Sequence, residues 1–123
     1  MTTDARPFQV IDTRAQPDGK VFDTFRGSDF GAMASFFIED TDEEGYGPFL
    51  HQHPYSETFV VQSGKALFTV GDDDLIGEGG MILVVPKFTP HTFSVIGPER
   101  YRAIHIHESD TFITEWLKGP KSV

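Results

Sequence analysis

Gly45-Tyr46-Gly47-Pro48-Phe49-Leu50-His51-Gln52-His53-Pro54-Tyr55-Ser56-Glu57-Thr58-Phe59-Val60-Val61-Gln62-Ser63-Gly64 is the stretch on which the reading of this 123-residue chain turns. His51 and His53 are two apart. Side chains alternate along an extended strand, so both imidazoles fall on one face. Pro54 lacks a backbone donor, so the strand bends or ends there. Glu57 opens the next apolar run, and even spacing puts Phe59 and Val61 on its face. A third imidazole, His91, follows Pro90 at the start of another run. The histidine pair alone is a weak signal, because two strand histidines facing solvent or holding hydrogen bonds read the same way. Three imidazoles and one carboxylate are nonetheless a ligand set that suits a divalent transition metal: Fe, Mn, Ni, Cu or Zn.

Other kinds of site fare worse. In Gly77-Glu78-Gly79-Gly80, Ile82 stands where a dinucleotide fingerprint needs its third glycine. No H-E-x-x-H, P-loop or G-x-S-x-G string occurs. Pro54 and Tyr55 follow the histidine pair, without the acidic residue of hydrolytic H-x-H-x-D-H sites.

Residues 45–64 match G-x5-H-x-H-x3-E-x6-G at Gly45, His51, His53, Glu57 and Gly64. After the fifteen residues 65–79, residues 80–95 read G-M-I-L-V-V-P-K-F-T-P-H-T-F-S-V. They match G-x5-P-x-G-x2-H-x3-N at Gly80, Pro86 and His91. Phe88 stands in place of the second glycine and Val95 in place of the asparagine. Together the two stretches resemble the paired motifs of small single-domain cupins. The resemblance implies an all-β, double-stranded β-helix (jelly-roll) barrel holding one divalent metal through His51, His53, Glu57 and His91. It also implies dimerisation, often by exchange of an N-terminal strand. The activity it implies is metal-dependent chemistry of the dioxygenase type on a small organic substrate, as in quercetin dioxygenase-like cupins, with Glu57 able to act as a base. A non-oxidative isomerase, lyase or cyclase, or a non-catalytic ligand-binding or metal-binding module, would use the same ligands. If the turn at Phe88 keeps the family's backbone, the residue is forced toward positive φ at a cost. A rearranged turn avoids that and is the expected outcome. Val95 makes its strand's interior more apolar.

Even spacing from the candidate ligands sends Phe49, Phe59 and Phe93 toward the same interior, as candidate substrate contacts. His105 and His107 alternate with Ile104 and Ile106. Burial of the isoleucines would turn the histidines outward. With the opposite facing they become contacts beside the metal or to the substrate.

The rest of the chain reads as short β runs separated by turn residues, which points to a sandwich or barrel. Runs are expected at 8–12, 20–26, 32–39, 49–53, 57–62, 65–70, 81–85, 91–96 and 101–107. Glu39 to Gly45 reads as a solvated acidic loop and Gly71 to Asp74 as a turn. Phe112, Ile113, Trp116 and Leu117 lie at helical spacing behind Ser109 and Asp110 and before Gly119-Pro120, which predicts one short C-terminal helix. The run Phe8–Asp12 is the candidate exchanged strand.

Composition narrows the classes. The chain is long enough for one domain spanning residues 1–123 and too short for two. It has no cysteine, so disulfides, Cys-ligated zinc, iron–sulfur clusters and a thiol nucleophile are excluded. Nineteen acidic against ten basic residues give a charge of −9, which repels nucleic acid and anionic membranes. No apolar run approaches membrane-spanning length, and the first residues lack the layout of a secretory signal. The expectation is a soluble, cytoplasmic protein that binds a small molecule and forms a homodimer. Twelve phenylalanines are the compositional oddity, and they predict an aromatic interior.

Overall fold

Two-residue alternation governs the architecture seen in the computed structural model, which describes residues 7–14 and 16–118. Among the described residues, ten strands form two antiparallel five-stranded sheets. The first has the order β1 (Thr24–Phe25), β2 (Ser35–Thr41), β9 (Tyr101–His107), β4 (Glu57–Ser63), β7 (Ile82–Val85). The second has the order β10 (Glu115–Trp116), β3 (His51–Gln52), β8 (His91–Ile96), β5 (Lys65–Val70), β6 (Asp73–Glu78). Inward residues of β4, β8 and β9 alternate with half-buried or exposed ones. The core between the sheets is built from Phe59, Val61, Ala66, Phe68, Val85, Phe93, Val95, Tyr101 and Ala103. Val95 thus does fill the interior with apolar bulk. Among the described residues no helix is long and apolar enough to cross a membrane.

Gly64 turns the β4–β5 hairpin at φ +69, and an added Cβ there would lie 2.5 Å from the Arg100 carbonyl oxygen. Phe88 adopts φ 57, the left-handed region that glycine favours. The turn has therefore kept its backbone and absorbed the strain, rather than rearranging. What holds it is visible: the Phe88 amide donates to the His53 carbonyl at 2.7 Å. The ring itself is 57% exposed.

Several local expectations are corrected. Phe8–Asp12 forms no strand. Phe8 and Val10 lie on the surface, 55% and 64% exposed. The run at 20–26 shrinks to β1, where Phe25 stacks between Phe30 and Phe36 with centroids 4.8 and 4.6 Å away. Asp40 and Thr41 belong to β2 instead of an acidic loop, because they pair with Arg102 and Tyr101. Asp73–Glu78, whose first two residues are expected in a turn, is an edge strand that among the described residues pairs only with β5 and leaves its acidic side chains in water. The C-terminal helix is absent; the only helical turn among the described residues is the 3₁₀ segment Gly27–Asp29. Tertiary contacts override the helical spacing. Phe112 stacks on Phe37 at 4.6 Å, and Trp116 pairs with His51 across β10–β3, so the tail lies extended along a sheet edge.

Candidate metal centre

β3 with the residue just after it, β4 and β8 bring the four sequence-derived ligands together. His51 pairs directly with His91 across β3–β8, and Glu57 enters from the opposite sheet. One ligand atom from each of His51, His53, Glu57 and His91 lies within 4.8 Å of all the others, and all four residues are buried.

Each imidazole is oriented by the main chain. His51 Nδ1 lies 2.8 Å from the Phe49 carbonyl oxygen, His53 Nδ1 2.8 Å from that of Ile113, and His91 Nδ1 2.8 Å from that of Thr89. A carbonyl oxygen only accepts, so each Nδ1 carries the hydrogen and each neutral ring offers an Nε2 lone pair. The Nε2 atoms of His53 and His91 sit 3.2 and 3.1 Å from the same oxygen, Oε1 of Glu57. Lone pairs facing a carboxylate oxygen at that range need positive charge among them. A proton supplies it in part; a divalent cation satisfies all four donors at once. The residues therefore fit a metal. Burial pushes His51 down to about 4, which keeps the ring neutral and able to ligate a metal near pH 7.

The other oxygen of Glu57 is held separately. The Tyr55 hydroxyl accepts from the Ile113 amide at 3.2 Å and lies 2.6 Å from His107 Nδ1. It donates its own hydrogen to that nitrogen, which places the His107 hydrogen on Nε2, 3.1 Å from Glu57 Oε2. Burial alone would raise the Glu57 carboxyl. The hydrogen bond from His107 lowers it, as do His53 and His91 whenever a proton sits on their Nε2 atoms, and together these hold the carboxyl well below its ordinary range.

His105 and His107 face inward, 1% and 3% exposed, which corrects the expectation that Ile104 and Ile106 would be the buried pair. Register decides this, because β9 lies between β2 and β4 and puts His107 level with Ser35 and Glu57. The isoleucines are half-buried on the outer face. A cavity of about 290 Å³ opens onto the centre. Phe59, Phe93, His105 and His107 line it. Phe49 does not; it is 53% exposed, since Pro48 to Leu50 precede the strand that fixes facing.

Sequence reasoning misses several cavity or support residues, Phe37 among them. Tyr55 sits two residues after His53 and two before Glu57, so the period-two signal was present and was broken only by Pro54. Glu39 lay hidden in an acidic run. Tyr46 donates to it at 3.0 Å, burial raises the Glu39 carboxyl, and burial pushes the Tyr46 phenol up to about 12. Trp116, 5.3 Å from the His51 ring, lies at helical spacing in the sequence, which masks its place beside the site.

Solved structures share the architecture. Oxalate decarboxylase from Bacillus subtilis superimposes with a TM-score of 0.60 at 25% identity over 69% of this chain, which spans 24% of that enzyme's length. A cupin-like protein from Thermotoga maritima gives a TM-score of 0.61 at 21% identity, covering 70% of this chain and 65% of that one. A Klebsiella pneumoniae protein with a double-stranded β-helix domain gives 0.62 at 18%, covering 71% and 76%. These likenesses establish the fold. No curated protein matches the chain. The family described as "Cupin domain" matches residues 38–107, from within β2 to the end of β9. That span holds all four converging ligands and more than half the sequence, and by it the chain belongs to the cupin family.

Proposed function

We propose that this protein is a metal-dependent enzyme that acts on a small organic molecule by chemistry of the dioxygenase type. The observation that carries the reading is the pre-oriented His51, His53, Glu57 and His91 set on the wall of an aromatic cavity of about 290 Å³. A divalent transition metal bound there supplies Lewis acidity and, where redox-active, a means of engaging dioxygen. The chain's own residues do the rest. Phe37, Phe59 and Phe93 exclude water and receive the flat apolar part of a substrate. His107 holds Oε2 of Glu57, which leaves Oε1 as the oxygen that serves as ligand or, once released, as base.

A non-oxidative isomerisation or cyclisation is supported by one observation: Glu39 is a second carboxylate on the cavity wall, outside the ligand set and positioned to move a proton. The test begins with metal analysis of purified protein, followed by oxygen uptake with enediol and flavonoid substrates. Metal at one equivalent with oxygen consumption is the expected result. Tight metal without oxygen consumption would remove the dioxygenase reading. Anaerobic turnover of the same compounds would establish the second one.

A further inference from the structure

The cavity has a second polar pole. Strand pairing sets its inward residues in rows: Ser35, His107 and Glu57; then Phe37, His105 and Phe59; then Glu39, Ala103 and Val61. Glu39 thus stands two rows from Glu57, and both Glu39 and His105 line the cavity. The fully buried Tyr101 hydroxyl lies 2.9 Å from His105 Nε2. A phenol in a dry interior needs an acceptor for its hydrogen, and that nitrogen is the one beside it. The His105 hydrogen is therefore on Nδ1, which lies 3.6 Å from Glu39 Oε2, beyond hydrogen-bonding distance. Tyr46 occupies the other oxygen, Oε1, at 3.0 Å.

A donor and an acceptor held 3.6 Å apart on one wall complement a single hydroxyl group. Its oxygen accepts from His105 Nδ1 and its hydrogen goes to Glu39 Oε2, each at about 2.8 Å. A carboxylate in that place would be repelled by Glu39, and an ammonium would leave the His105 hydrogen unpaired. The rings of Phe59 and Phe93 pack on His105 at 4.6 and 4.9 Å, both nearly perpendicular to it, and give the wall between the poles an apolar surface. Resting on the metal-centre reading above, we propose that the ligand is a compact, flat molecule with metal-binding oxygens at one end and a hydroxyl group, received by Glu39 and His105, at the other.

Kojic acid and allomaltol test this directly. They share a metal-chelating hydroxypyranone and differ only in a hydroxymethyl against a methyl group. Calorimetric titration into protein loaded with one equivalent of Zn(II) is expected to show kojic acid binding at least about tenfold more tightly. In Glu39→Gln, with Zn(II) content and circular dichroism unchanged, the preference is expected to collapse to within about twofold while allomaltol affinity holds. Equal affinities for the wild-type protein, binding of neither compound, or an undiminished preference in E39Q overturns the proposal. Failure of wild-type protein to take up Zn(II) in equilibrium dialysis, before any chelator is added, is a separate result that sinks the metal centre and this proposal together.

Discussion

His107 Nε2 lies 3.1 Å from Oε2 of Glu57, the oxygen that does not face His53 and His91. One histidine of β9 thereby fixes the rotation of a carboxylate whose other oxygen belongs to the metal centre. Partners that orient a ligand typically account for 10–100-fold in metal affinity. His107→Ala is expected to weaken Zn(II) binding by about that range, and Tyr55→Phe by about tenfold. Competition titration against a chromogenic chelator measures both. Wild-type affinity in both variants would show that Glu57 needs no such support.

Removing a ligand goes further. His51→Ala and His53→Ala are each expected to lose stoichiometric metal. Metal that binds only the folded state raises the melting temperature, by about 2.7 kcal/mol of stabilisation at a hundredfold excess over Kd. The wild-type protein should show that upward shift with Zn(II), and neither variant should. A retained shift in either one would displace the site.

Acid should unfold the metal-free protein ahead of its carboxylates. Burial pushes His51 and His105 down to about 4, while unfolded histidine titrates near 6.5. Between those values the unfolded chain binds protons that the folded chain does not. The stability from keeping these rings neutral is complete above about pH 6.5 and is withdrawn as pH falls toward 4, by up to about 3 kcal/mol per histidine. Glu39 has the opposite sign: raised by burial, it favours the folded state at low pH and loses that contribution as pH rises through its folded value. The two histidines outweigh one carboxylate, so the melting temperature should drop steadily from pH 7 to 4.5. A flat or rising series would contradict the burial of these rings.

Two turns make a matched backbone experiment. Phe88→Gly and Phe88→Ala both remove an exposed ring, but only glycine is at ease at φ 57. Phe88→Gly is expected to be about 1 kcal/mol more stable than Phe88→Ala in urea titration. Gly64→Ala combines φ +69 with a Cβ placed 2.5 Å from the Arg100 carbonyl oxygen, and should cost at least about 2 kcal/mol. Parity between the two Phe88 variants would mean that the turn relaxes freely.

The ligands were legible because period-two spacing and fixed inter-motif distance both survive folding: His51, His53, Glu57 and His91 meet where that spacing places them. Facing was legible only where one face was unambiguous. In Tyr101–His107 the hydrophobic preference pointed to the isoleucines, yet β9 sits between two strands whose inward row already contains Glu57, and a buried carboxylate recruits the histidine. Glu39 escaped notice because its role depends on Tyr46 and His105, which pairing with β9 and the cavity bring to it. The tail was misread for a related reason: Phe112 and Trp116 answer to rings of Phe37 and His51 far away in sequence, and local spacing carries no trace of them.

Ile113 serves two masters. Its carbonyl orients His53 and its amide supports Tyr55, which holds His107 against Glu57. The tail is therefore thermodynamically coupled to the centre it borders: whatever a correctly turned His53 adds to metal affinity, a bound metal returns as docking strength of the segment around residue 113. Occupancy should be readable at a distance from the metal, as slower hydrogen exchange of the Ile113 amide by the same factor.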